Sequence, residues 1–181
     1  MSAPTASVRA RPAGAPPAPR LRLGRRARRA LLTAHIAVSV GLLGDSAGYL
    51  AVAVRAAGAD DPAAARAAYE ILDLFAFAFG IPLSLAALAT GLALGWTSSW
   101  GVLRTPWVAA KLALLVSVIA VGALVLGPGV AARLDGGGSA AAPIAGATWD
   151  VAALALATGL SVFRPGRPRA RRAQAAGSST S

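Results

Sequence analysis

Five ionisable side chains lie within stretches that are otherwise apolar: His35, Asp45, Asp73, Lys111 and Asp150. In hydrocarbon such groups are expensive and mark ion pathways, proton relays or ties between helices. Asp45 is the deepest, about 22 Å along a helix counted from Ala30 at 1.5 Å per residue. An ionised carboxylate there costs at least ~2.5–3.5 kcal/mol, so it must be protonated, hydrated or paired. Gly41, Asp45, Gly48 and Tyr49 recur at the spacing of one helix face. The glycines admit a neighbouring helix, and Tyr49 can bond the carboxyl. Gly44 and Gly48 add a small-xxx-small pair. Asp73 and Asp150 enter their apolar runs from the side towards which Asp45 lies. Asp45, Tyr49, Asp73 and Asp150 therefore form a candidate site for a proton or cation, in a small acidic cavity opening outward. The same acids also read as separate hydrogen-bonded ties. In that case Asp150 sits near a helix N-terminus, where a carboxylate suits the dipole, and Arg55, Arg66 and Arg133 are available as partners.

His35 and Lys111 sit about one turn inside the opposite edge. Lys111 can snorkel to the interface, and His35 reads as a hydrogen-bonded packing residue. What the chain lacks narrows the chemistry further. It has no cysteine, so disulfides, thiolate metal sites and cysteine nucleophiles are excluded. His35 is the single histidine and Met1 the single methionine. A bis-histidine haem would need a symmetric dimer, and a copper site would lack ligands. No Ser-His-Asp or zinc-ligand pattern occurs. Gly136-Gly137-Gly138 lacks the lysine of a phosphate-binding loop and reads as a linker. The expectation is a protein that is not an enzyme and holds neither cofactor nor metal.

Composition says which elements must position these residues. Of 181 residues, 56% are hydrophobic and 14% charged, against roughly 45–50% and 25% in soluble domains; mean hydropathy is +0.60. Four apolar runs, about residues 30–54, 69–96, 107–126 and 143–163, are each long enough for a ~30 Å hydrocarbon core. The first is too long for the ~7–15-residue core of a signal peptide, so it reads as a retained helix. Asp61-Pro62 suits a helix start. Pro82 falls inside the second run and should kink it, freeing a carbonyl about four residues earlier. Gly127-Pro128-Gly129 reads as the close of the third run. In lipid the backbone must bond itself, so the spans must be helices. The fold class expected is all-α: an integral membrane antiparallel four-helix bundle over residues 30–163. It is flanked by a disordered Pro/Arg-rich arm, 1–29, and a disordered basic tail, 164–181.

The net charge of +11 is concentrated in those flanks. Outside the spans, fourteen arginines fall on the side carrying both termini and three on the other. The positive-inside rule then places both termini in the cytoplasm. Arginine in place of lysine, with abundant alanine and glycine, points to a GC-rich bacterial genome and so to a bacterial plasma membrane. The partners expected are the lipid bilayer, anionic lipid at the cytoplasmic face, and a second copy or other membrane subunits. Nucleic acid is not expected, because the tails have no interleaved aromatic residues.

Two segments carry a family likeness. Leu31 to Gly44, LLTAHIAVSVGLLG, resembles the first span of small actinobacterial integral membrane proteins of a domain-of-unknown-function type with four predicted helices. Trp100 to Lys111, WGVLRTPWVAAK, is similar to that family's junction between second and third helices. Asp60-Pro62, with Ala68-Tyr69 after it, fits its outer loop. The resemblance covers about residues 30–130. It implies no activity or ligand, but it suggests that His35, Arg104, Trp107 and Lys111 form one inner-side site.

Three functions remain open. The first is a non-catalytic structural protein or accessory subunit whose polar residues tie helices together. The second is a small proton- or cation-coupled permease using the acidic cavity, with Pro82 as hinge. The third, more remote, is a haem-binding redox protein formed by a dimer through His35.

Overall fold

The computed structural model describes residues 24–96 and 106–163. Among them all regular structure is helical. The four helices are α1 (Arg25–Ala57), α2 (Pro62–Trp96), α3 (Pro106–Leu134) and α4 (Ala141–Phe163). Each is long and apolar enough to cross a bilayer. Ile36, Val40, Leu74, Phe77, Leu124 and Val162 stand exposed on their outer faces, as lipid-facing residues do. α1 packs against α2 and α4, and α3 packs against the same two. Consecutive helices are thus neighbours around the bundle, with α1 and α3 on opposite corners. One end, here the terminal end, carries Arg25, Trp96, Pro106 and Phe163. The other, the loop end, carries the connections 58–61 and 135–140.

The helices run further than the apolar runs alone imply. The first begins at Arg25, ahead of its apolar run, within the arginines Arg22 to Arg29 whose spacing suits a helix start. The second begins at Pro62, well before Tyr69. The Asp61 carboxylate accepts from the N–H groups of Ala63 at 3.1 Å and Ala64 at 3.2 Å, with Pro62 in the first helical position. The predicted connection 97–106 is left undescribed except for Pro106, and so are residues 1–23 and 164–181 of the predicted tails.

Gly127-Pro128-Gly129 does not close the third helix, which continues to Leu134. The reason is a device that α3 shares with α2. In α2 the turn Ala76–Gly80 is a π-helix, and the Ile81 N–H reaches back to the Ala76 carbonyl. In α3 the turn Gly122–Leu126 is a π-helix, and the Gly127 N–H reaches back to the Gly122 carbonyl. Each widened turn ends two residues before a proline, Pro82 or Pro128. A proline has no N–H to donate and its ring crowds the carbonyl four residues back. Taking an extra residue into the preceding turn relieves that crowding and keeps the helix running. The carbonyl that Pro82 was expected to free is accommodated in this way.

Two apolar clusters hold the bundle. Towards the loop end, Tyr49, Ala53 and Ala56 of α1 meet Tyr69 and Leu72 of α2, Leu126 and Val130 of α3, and Ala147 of α4. Towards the terminal end, Leu42, Ala87, Val118, Ala153 and Leu154 pack together. Beyond α3, Gly138 has φ +68, and a Cβ there would come within 2.8 Å of the Ala132 Cβ. Only glycine serves at that turn.

Candidate functional site

Between the two clusters lies a polar level. α1 contributes Asp45 and the buried Ser46, between Leu42 and Tyr49. α4 contributes Asp150, between Ala147 and Ala153. α2 contributes its π turn: a Cβ on Gly80 would lie 3.5 Å from Asp45 Oδ2. The π turn of α3 lies one helical turn towards the loop end, where Val121 and Leu126 press on Gly146 of α4.

The acids at this level have buried oxygens with no hydrogen-bond partner among the described residues. Asp150 is 5% exposed, and its Oδ1 has no hydrogen-bond partner among the described residues. Asp45 is half-buried, and its Oδ1 is in the same condition. Buried Tyr49 sits among them, within electrostatic range of Asp73, Asp150 and Asp45. Of the four predicted residues, Asp45, Asp73 and Asp150 are thus all within electrostatic range of Tyr49, with Asp73 on the exposed side of α2. Asp150 does not cap its helix. α4 starts at Ala141, so the carboxylate lies beyond its second turn, and the dipole's influence ends within the first. Nor do the loop-end arginines neutralise these acids. Arg66 pairs with Glu70 at 3.1 Å and donates to the Leu134 carbonyl at 2.8 Å. The Arg133 guanidinium lies 5.2 Å from the centre of the Tyr69 ring, and the buried Tyr69 Oη and Arg133 Nε likewise lack partners among the described residues.

The glycine face of α1 differs from expectation. Gly41 approaches Leu83, and Gly48 reaches only the Phe75 ring, at 4.0 Å from an added Cβ. A Cβ on Gly44 would meet nothing within 4 Å. Gly44 therefore borders a groove and is not a packing contact. The groove is a shallow, open one of about 400 Å³, lined by Gly41, Gly44, Asp45, Phe75, Phe79 and Leu83.

The inner-side residues are set differently. His35 Nδ1 and Thr90 Oγ1 share a 2.9 Å hydrogen bond. The Thr90 hydroxyl donates to the Ala86 carbonyl at 2.6 Å, so it accepts from the imidazole. Gly91 makes room for the ring: a Cβ there would come within 3.2 Å of His35 Cε1. Lys111 Nζ donates to Ser161 Oγ at 3.0 Å and lies 4.7 Å from the centre of the Trp107 ring. His35 is within electrostatic range of Lys111. Three of the four predicted inner residues are thus gathered, and Arg104 lies outside the described residues.

A family model described as "Predicted integral membrane protein (DUF2269)" matches residues 29–164. The chain belongs to this family. The DUF2269 match takes in all four helices except the first residues of α1, 25–28, polar level included, and leaves out most of both flanks. No curated protein and no solved structure matches the chain. For this DUF2269 member, then, the residues themselves carry the functional argument. Several of them escape a reading of the sequence: Gly80, Thr90, Gly91 and Ser161. The one available signal was a glycine just ahead of each interior proline, one residue before it at Gly80-Ile81-Pro82 and next to it at Gly127-Pro128.

Proposed function

We propose that this integral membrane protein is not an enzyme but a small proton- or cation-coupled permease, whose mid-bundle acids hold the coupling charge. One observation carries the reading: carboxylates on two helices, each with a buried oxygen that lacks a partner among the described residues, at the level where α2 is widened into a π turn. An ionised acid in hydrocarbon is unstable unless it gains a proton or a cation. Widened turns are the places where a helix most readily changes its hydrogen bonding. Gain and loss of charge at Asp45 and Asp150 would therefore bias how α2 sits against α1. Four helices enclose little space, so the working unit is an oligomer. Both termini are cytoplasmic in this reading, from the arginine bias, in a bacterial plasma membrane whose anionic lipids meet the flanks.

Proteoliposomes enclosing a pH-sensitive dye test it. Wild-type protein should let protons through under an imposed gradient, and Asp150→Asn should not. Equal flux from both would end the reading. A structural or accessory role is the second reading, supported by the helix ties His35–Thr90 and Lys111–Ser161. It predicts no flux from either protein and loss of folded protein when the ties are cut.

A further inference from the structure

The groove beside Asp45 has a composition that selects its occupant. Its floor is Gly41 and Gly44, whose missing side chains leave room for a ligand. The rings of Phe75 and Phe79, 5.5 Å apart and tilted by 58°, form one wall with Leu83. Asp45 is the single polar side chain in the lining, with one buried oxygen unpartnered among the described residues. About 400 Å³ falls in the range of small-molecule sites, which run roughly 300–1,000 Å³. Phe79 and the neighbouring Val40, Ile81 and Leu85 are exposed, so the approach to the groove is apolar.

A hydrated metal ion fits this poorly. Such an ion needs several oxygen ligands to replace its water, and the lining supplies a single carboxylate. An anion is repelled by that carboxylate, and a neutral molecule leaves it unneutralised. An organic cation with apolar arms satisfies every wall at once. Its charge pairs with Asp45, the ring faces attract it, and its arms replace lipid against Leu83 and the glycine floor. We propose that this groove binds a lipophilic organic monocation of the quaternary ammonium or phosphonium class, with Asp45 as counter-ion. The assignment names the substrate class of the permease reading and rests on it.

Tetraphenylphosphonium is the probe. The full chain, purified in detergent, is titrated by equilibrium dialysis. Saturable binding is expected in the wild type, weakened by about tenfold or more in Asp45→Asn, which removes the charge partner. Gly44→Leu should weaken it comparably, since the added side chain enters the groove without a clash. Both variants are first checked by size-exclusion profile and thermal midpoint against the wild type. Neutral triphenylphosphine oxide should compete poorly. Absence of saturable binding, unchanged affinity in Asp45→Asn, or equal competition by the oxide each overturns the assignment. So does a Gly44→Leu variant that splits an oligomer while phosphonium is ignored, which would make the groove the seat of a second copy. If phosphonium fails to bind while Asp150→Asn still abolishes proton flux, the ligand class falls and the permease reading survives. Phosphonium bound at Asp45 with a proton flux indifferent to Asp150 supports the site and removes the coupling.

Discussion

Near the terminal end, polar side chains between helices have partners. His35 meets Thr90 across α1 and α2, and Lys111 meets Ser161 across α3 and α4. At the polar level, Asp45 and Asp150 bury an oxygen with nothing among the described residues to satisfy it. The first region behaves as fastening. The second leaves buried oxygens without a partner among the described residues, between the apolar clusters above and below them.

Substitutions can break that contrast or sharpen it. The largest effect is expected where both regions depend on one close approach. A Cβ on Gly146 would stand 2.6 Å from Leu126 Cδ2 and 3.2 Å from Val121 Cγ1. Gly146→Leu should therefore overpack the α3–α4 contact, at a cost of about 3 kcal/mol. Heating followed by size-exclusion chromatography would register it as a lowered midpoint. Next is Asp150→Leu, which should raise stability by ~1–3 kcal/mol, because it removes a buried oxygen that has no partner among the described residues. A lower midpoint would mean that the acid is a tie after all and would erase the distinction. Thr90→Val takes away the partner of His35 and should lower stability by ~0.6–1.7 kcal/mol, the range of interhelical hydrogen bonds in membranes. Unchanged stability there would remove the fastening role. The smallest effect belongs to Arg66→Ala at the exposed loop end, within about 0.5 kcal/mol for its ion pair with Glu70. A larger drop would assign the excess to the bond from Arg66 to the Leu134 carbonyl.

Much of this was legible in the sequence. Hydropathy located four spans, and Asp61-Pro62 marked the start of α2 through its own capping chemistry. The acids declared themselves by sitting where charge does not belong. Gly127-Pro128-Gly129 misled because glycine and proline are local breakers, whereas a π turn held between neighbouring helices absorbs both. Asp150 was misplaced relative to its helix start, since Ala141 and Ala142 carry no boundary signal. The pairing of His35 with Thr90 and of Lys111 with Ser161 was hidden for a different reason. Spacing along one helix says which residues share a face, and nothing about which face of another helix comes to meet it. The groove was hidden likewise: Gly44 looked like a packing residue until Phe75, Phe79 and Leu83 were seen to stop short of it.

The widened turn in α2 also sets the facing of everything after it. One surplus residue swings the remainder of a helix by about 100° relative to an uninterrupted one. Ser84 and Ala87 look inward because five residues occupy the stretch ahead of them. Excising Ala78 would straighten the rod, carry those inward groups round towards the bilayer, and leave Asp45 opposite a different side of its neighbour.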